Sequence, residues 1–317
     1  MDVILMKKIF SALLAVAIML SFCACTAKKE TALVISGAEI DTEIFTYFFH
    51  RIVERPSDYG IDAEAKDKVF KETAIQECKE YLAANTRFAA EGLKLTSAEK
   101  VQISEAVNDL WLRFENHYKA IGVSKQTLTK IRTAEAYEDR LFTAIYDWGV
   151  ENLGAEAIIQ NYFYSNYVSF RNVCVYFTKA DGSVMSQLEK NQLLEAMNSM
   201  REISDVQKFI DTASAAGYSS SDSVILKKDS GGYPDGFFDR VAAQSDNTVD
   251  IIEYEDCVFA VFKENLKDKG EGVYANYRSA CISDIYSAEY QQSIADYTAQ
   301  MGVDEKGSIN KIVNKYL

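Results

Sequence analysis

The sequence predicts an α+β protein that is mainly helical, with a small antiparallel sheet in the middle of the chain. Apolar residues recur at helical spacing over long stretches of residues 42–166 and again over residues 271–317. Alternating β-branched and aromatic residues are concentrated between them, in residues 169–177 and 248–265. The chain has only two prolines in 317 residues, a depletion typical of long helices joined by few rigid loops.

The first thirty residues have the pattern of an export signal. Two lysines precede an uncharged run, residues 9–22, that is too short for a membrane span and has the length of a signal peptide's apolar region. The motif "FCAC" that follows resembles the lipobox of bacterial lipoproteins. We therefore expect residues 1–24 to be a lipoprotein signal peptide and Cys25, preceded by the small Ala24, to be the lipid-attachment residue. The alternative is a secreted protein with incidental cysteines.

The next part of the chain is predicted to be helical after one short strand at residues 32–37. Asp41 is placed to cap the first helix, and Thr96 and Glu99 have the spacing of a capping box. The predicted helices cover residues 42–53, 63–91, 97–120, 124–150 and 155–167.

The middle of the chain follows the order β-α-α-β-β. Ser186 and Glu189 form a second capping-box pattern before the first of its helices. The predicted strands cover residues 169–177 and 223–228 and a hairpin over 248–265, and the predicted helices begin near residues 187 and 205. From residue 271 to the end the pattern is helical again, so the middle block interrupts one helical segment.

Composition excludes several classes of function. The net charge of −13 argues against a nucleic-acid partner. His50 and His117, the two histidines, fall on separate predicted helices, and no closely spaced cysteine pair follows residue 25, so we expect no metal site and no cofactor. The four cysteines after residue 25 are expected to be free thiols or to include one cross-strand disulfide.

Three stretches resemble the PrsA/SurA-type extracytoplasmic foldases in order along the chain. They are "VISGAEIDTEIFTYFF", "ANTRFAAEGLKLTSAEK" and "YVSFRNVCVYFTKADGSVMSQLEK". The resemblance implies a helical chaperone domain made of N- and C-terminal segments, with a small parvulin-like sheet and its helices inserted. It implies a tether and first strand at 25–36, a SurA-like helical domain at 37–166, a parvulin-like domain at 167–268, and C-terminal helices at 269–317 that pack on the helical domain.

The resemblance also implies a function, which one departure from the family modifies. A chain of this type is exported, is anchored by lipid to the outer face of the bacterial cytoplasmic membrane, and binds unfolded or extended polypeptide. Asn172 and Val258 align with the two histidines of parvulin prolyl isomerases, so we expect lost or weak isomerase activity. The alternatives are an active parvulin-type isomerase, and a lipoprotein that binds a dedicated protein or cell-wall partner.

Candidate residues for polypeptide binding are aromatic side chains on the predicted helical faces. They are Phe45, Phe48, Phe49, Trp111 and Phe114. The alternative for these residues is burial in the core of the helical domain, which their helical spacing also predicts.

Overall fold

A computed structural model describes residues 29–317, and the predicted signal peptide and Cys25 lie outside the described residues. The predicted fold class is confirmed, because the described chain is mainly helical with two small antiparallel sheets. The helices are α1 Thr42–Glu54, α2 Asp67–Ala90, α3 Ser97–Ile121, α4 Lys125–Tyr146, α5 Leu153–Asn166, α6 Gln187–Asn198, α7 Val206–Ala215, α8 Phe237–Ala243, α9 Glu271–Ala299 and α10 Gly307–Tyr316. The strands are β1 Thr31–Ile35, β2 Ala38–Asp41, β3 Tyr167–Tyr176, β4 Val224–Lys227, β5 Val249–Glu253, β6 Cys257–Glu264 and β7 Val303–Glu305.

The chain divides into two compact units, and one of them is discontinuous. The helical unit contains the described residues up to Trp148 together with Tyr286–Leu317. The sheet unit is the intervening segment, Gly149–Ile285. Helix α5 and the first half of α9 therefore belong to the sheet unit. Among residues 29–317, no helix combines the length and the apolarity needed to cross a membrane.

Local signals in the sequence set where the helices of the helical unit begin. The Asp41 carboxylate accepts a hydrogen bond of 3.0 Å from the backbone N–H of Ile44 and so caps α1. Thr96 and Glu99 form the predicted capping box at the start of α3. Apolar residues of α1, α2 and α4 then bury against Ile309 and Val313 of α10, so both ends of the described chain contribute to one core.

A three-stranded sheet in the helical unit was only partly predicted. Its order is β2-β1-β7, and β1 pairs antiparallel with both neighbours. The sequence predicted β1, but not β2, and it predicted only helix after residue 271. That expectation was wrong for β7, because three exposed residues with no apolar alternation carry no strand signal. Pairing with Leu33, Val34 and Ile35 is what orders them.

The sheet unit is built on four antiparallel strands in the order β4-β3-β6-β5. Successive side chains along β6 point to opposite faces of the sheet. One face, with Val258 and Phe262, packs against α6 and α7. The other face, with Phe259 and Val261, packs against α8. The central strand β6 is consequently buried on both sides.

Candidate functional site

The structure does not bring the side chains of Asn172 and Val258 together. Both residues are buried, Asn172 on β3 and Val258 on β6. Val258 belongs to the face that packs on α6 and α7. Asn172 lies between Phe170 and Cys174, which belong to the face that packs on α8. Histidines placed at these two positions would lie on opposite sides of the sheet.

The face of the sheet that carries Asn172 contains no imidazole. On this face, the neighbours of Asn172 on β6 are Val261, which pairs directly with Asn172, and Phe259 and Cys257. The Cys174 and Cys257 thiols are in hydrogen-bond contact on this face. These groups offer apolar surface and two thiols, and none of them titrates near neutral pH in the way that histidine does.

The two thiols are poor nucleophiles where they lie. Burial raises the pKa of Cys174, and burial together with Asp256 raises the pKa of Cys257 to about 12. A thiol with so high a pKa stays protonated at neutral pH, and the thiolate is the reactive form. The sequence left open whether the four cysteines are free thiols or include one cross-strand disulfide. All four are free thiols in the described chain.

The predicted polypeptide-binding aromatics fall into two groups. Phe45, Phe48 and Phe49 on α1 lie in the core of the helical unit and are not accessible in the folded chain. Trp111 packs against that core and is partly buried. Phe114 is 49% exposed, at a break in the helical backbone of α3. Of the five residues, Phe114 is therefore the one that presents a largely open apolar surface.

Helix α3 is poorly buried for its length. Of its 25 residues, only Val107 and Ile121 are fully buried. Leu112 is 84% exposed and Val101 is 55% exposed, in addition to Phe114. An amphipathic helix of a globular domain normally buries a continuous apolar stripe, so α3 leaves apolar side chains without a partner among the described residues.

A groove of about 350 Å³ runs between α3 and α4. Its apolar lining comes from Leu95, Ile103, Val107 and Tyr137, and polar lining residues include Lys100, Ser104, Asn108 and Lys125. Phe114 follows Val107 by seven residues, a spacing that places the two on one side of a helix. Phe114 therefore lies on the side of α3 that lines the groove, whereas Leu112, two residues before it, lies on another side of the helix. Leu112 was not predicted as a binding residue, because spacing alone does not reveal which apolar residues remain exposed.

A second cavity, of about 260 Å³, adjoins a polar network at Glu43. The Glu43 carboxylate accepts hydrogen bonds of 2.6 Å from the hydroxyls of Ser124 and Thr127 and pairs with Lys29 at 2.8 Å. Burial raises its pKa, but these bonds outweigh burial and hold the pKa at about 2. The network joins the start of α1 to the start of α4, so we interpret it as a set of contacts that stabilises the fold.

The structure also places His50, Glu54 and His117 together, although the sequence predicted no metal site. The potential ligand atoms of these three side chains all lie within 4.8 Å of one another. Their residue types are those of transition-metal ligands.

Comparison with solved structures finds foldases and related chaperones. A foldase protein PrsA from Streptococcus pneumoniae is 12% identical, with 89% of this chain and 97% of that chain covered and a TM-score of 0.39. A foldase protein PrsA from Lactococcus lactis is 12% identical, with 91% and 99% covered and a TM-score of 0.39. A Campylobacter jejuni structure described as a SurA-like chaperone is 10% identical, with 88% and 100% covered and a TM-score of 0.31.

The resemblance predicted from the sequence motifs is thus confirmed as a likeness to solved structures of this class. At TM-scores below 0.5, that likeness carries no argument about what this chain does. No protein-family model and no curated protein matches the chain.

Proposed function

We propose that this protein is an exported, chaperone-like lipoprotein that binds unfolded or extended polypeptide, with lost or weak prolyl isomerase activity. The observation that carries the proposal is the exposure of apolar residues on α3, among them Leu112 and Phe114, with Phe114 on the side of the groove between α3 and α4. Apolar side chains exposed beside a groove are a common feature of sites that bind other proteins or ligands. The sequence motifs that resemble PrsA/SurA-type foldases support the same class of function.

The groove favours an extended segment with large apolar side chains as its occupant. Its volume of about 350 Å³ lies at the lower end of the range for ligand pockets, roughly 300–1,000 Å³. Phe114 would add apolar contact beyond the groove, and Leu112 would offer a separate contact on another side of α3. Lys100 and Lys125 add positive charge to the lining and suit acidic groups on the client.

The sheet unit is proposed to contain a parvulin-like domain, residues 167–268, that no longer catalyses isomerisation efficiently. The four-stranded sheet with helices on both faces supports this assignment, as does the resemblance of the β3 sequence to a parvulin strand. The chain has no histidine after His117, so no imidazole can serve in this domain. A proline-containing peptide is expected to isomerise near its uncatalysed rate, over tens to hundreds of seconds.

A protease-coupled isomerase assay on the intact chain tests this part of the proposal. Rates equal to the buffer control are expected. Strong catalysis would instead support the alternative of an active parvulin-type isomerase that works without histidine.

Suppression of aggregation tests the polypeptide-binding proposal. Reduced lysozyme diluted from guanidinium should scatter less light when the protein is present. Leu112→Ser and Phe114→Ser, each at an exposed position, should weaken this protection and leave the fold intact. Leu188→Ser is the matched control, because Leu188 is 68% exposed on α6 of the sheet unit.

Two outcomes would contradict that assignment. If Leu188→Ser weakens protection as much as the α3 variants do, client binding is not located on α3. If the unaltered protein gives no protection, the remaining hypothesis is a lipoprotein with a dedicated protein or cell-wall partner.

Membrane anchoring at Cys25 is a separate part of the proposal. The apolar run at 9–22 and the small Ala24 before Cys25 support it. Mass spectrometry of the membrane fraction is expected to show a diacylglyceryl group on Cys25. Release of an unmodified chain into the medium would contradict it, and Cys25→Ser should produce that release.

A further inference from the structure

The two histidines of the sequence lie side by side in the helical unit. His50 is on α1 and His117 is on α3, 67 residues later, and their rings meet edge to face with centroids 5.2 Å apart. Glu54 follows His50 by one helical turn, and its Oε2 lies 3.4 Å from His50 Nδ1. One nitrogen of each imidazole and one oxygen of Glu54 form a set whose members are all within 4.8 Å of one another.

Neighbouring rings and the core limit the freedom of both imidazoles. The His50 ring packs on the Tyr316 ring at 5.0 Å, and the His117 ring packs on the Tyr118 ring at 5.4 Å. Glu54 differs from them, since its side chain is 49% exposed. Packing therefore holds the two imidazoles in place, whereas Glu54 is open to solvent. An ion can enter the cluster from the side of Glu54.

We propose that His50, Glu54 and His117 form a binding site for a divalent late first-row transition metal, with Zn²⁺ as the type ion. Ligands at about 2.0–2.1 Å from a tetrahedral zinc stand about 3.3 Å apart, so side-chain movements on the order of 1 Å convert the cluster into three ligands. Imidazole nitrogen favours zinc, nickel, cobalt and copper over magnesium and calcium, which take oxygen ligands. Water would complete the fourth position.

The charges around the cluster allow a cation and also tune its affinity. Glu54 supplies one negative charge directly. Lys315, whose charge acts on His50, opposes a bound cation, and its ammonium group donates a hydrogen bond of 2.8 Å to the Tyr316 hydroxyl. Lys315→Gln should therefore tighten metal binding, whereas loss of a ligand should weaken it.

The ion would connect two segments of the helical unit. His117 follows the backbone break at Phe114, where φ is −129° and ψ is 21°, and so lies on the last turns of α3. A metal bound by both helices would fix those turns to α1 and stabilise the folded unit. This inference does not depend on the polypeptide-binding proposal.

Isothermal titration of the full chain in detergent with ZnCl₂ near neutral pH tests the site, using protein without a histidine tag. One zinc per chain is expected. Loss of an outer-shell partner alone commonly weakens metal affinity about 10–100-fold, so His50→Gln, His117→Gln and Glu54→Gln should each weaken it at least about 100-fold. Glu72→Gln is the control, because Glu72 forms a similar exposed pair with Lys68, four residues earlier on α2, at 3.5 Å.

A second readout separates ligation from stabilisation. Cobalt(II) bound by two imidazoles and a carboxylate in four-coordinate geometry gives visible absorption, which Glu54→Gln should change and Glu72→Gln should not. Because Glu54 is exposed, Glu54→Gln is expected to leave the fold intact. Absence of zinc binding by the unaltered chain, or unchanged affinity in all three ligand variants, would overturn the proposal.

Discussion

The central strand of the sheet unit and the long helix α3 of the helical unit use apolar residues in opposite ways. Strand β6 is covered on both faces, so Phe259 and Phe262 are both buried although they point in opposite directions. Helix α3 has more than three times as many residues and buries only two of them, while Phe114 is half exposed and Leu112 is 84% exposed. Apolar residues complete a core in the first case and remain available at a surface in the second.

This difference assigns separate roles to the two regions. A strand that is covered on both sides specifies a stable fold, and the face that carries Asn172 has no imidazole among the described residues. A helix with exposed apolar residues has surface that a partner can bury. On the proposed function, the region whose sequence resembles an enzyme domain has a structural role, and the region without catalytic motifs has the binding surface.

Replacing phenylalanine with alanine should give the largest difference in the free energy of unfolding between the two regions. Phe259→Ala and Phe262→Ala each leave a cavity in a packed face and should lower the free energy of unfolding by about 3–5 kcal/mol. Phe114→Ala removes a half-exposed ring and should change it by less than about 0.5 kcal/mol. Guanidinium titrations monitored by circular dichroism measure all three. A large loss for Phe114→Ala would mean that α3 is a core element.

Two glutamates, one in each unit, should respond to pH in opposite directions. In the helical unit, burial and the nearby Glu80 raise the pKa of Glu77 to about 7. Between about pH 4.5 and 7 the folded chain then holds more protons than the unfolded chain, so this residue makes stability fall as pH rises. Glu77→Gln should raise the free energy of unfolding by about 2–3 kcal/mol at pH 8 and have little effect at pH 4.

Thermal unfolding at the two pH values checks this prediction. Glu72→Gln, on the same helix at an exposed position, should have little effect at either pH. An effect of Glu77→Gln that does not vary with pH would rule out ionisation as its cause.

The carboxylate of Glu264 in the sheet unit should behave in the opposite sense. Burial raises its pKa, but the ammonium of Lys269 at 2.5 Å and the hydroxyls of Ser223 and Ser169 at 2.5 and 2.9 Å outweigh burial and lower it. A lowered pKa contributes stability that is present above the ordinary pKa and is lost as pH falls through the folded value.

Glu264→Gln should therefore lower the free energy of unfolding by about 1–2 kcal/mol at pH 7. The difference from the unaltered chain should shrink as the pH is lowered below about 4. Denaturant titrations across this pH range measure it, and a larger loss in acid than at pH 7 would contradict the assigned sign.

The smallest effect concerns the thiols on the α8-facing side of the sheet. Because burial raises the pKa of Cys174 and Cys257, iodoacetamide should label them slowly in the folded chain at pH 8 and rapidly in guanidinium. Mass spectrometry of the labelled peptides reads out both rates. Fast labelling of the folded chain would show that this face opens in solution.

Elements set by local chemistry could be predicted from the sequence. The caps at Asp41 and Thr96 use side chains that bond to backbone groups a few residues away, so spacing alone reveals them. The hairpin of β5 and β6 was predicted from its alternating apolar residues. Strand β7 could not be predicted, since partners some 270 residues distant order it.

The candidate sites depended on information that spacing does not contain. Asn172 and Val258 were aligned by motif, but the strand register places their side chains on opposite faces. Whether an aromatic residue is buried or exposed depends on the element that packs over it. The sequence alone therefore could not distinguish the buried Phe45 from the half-exposed Phe114. The proximity of His50 and His117 results from helix packing between segments that are far apart along the chain.

Site-specific photo-crosslinking tests whether a client binds along α3, because it locates a bound client on the protein. A photoreactive residue at position 112, where Leu112 is 84% exposed, is compared with one at position 188, where Leu188 is 68% exposed. Both proteins are mixed with an unfolded client and irradiated. We predict client adducts at position 112 that far exceed those at position 188. Adducts at position 188 alone, or equal adducts at both positions, would contradict binding along α3.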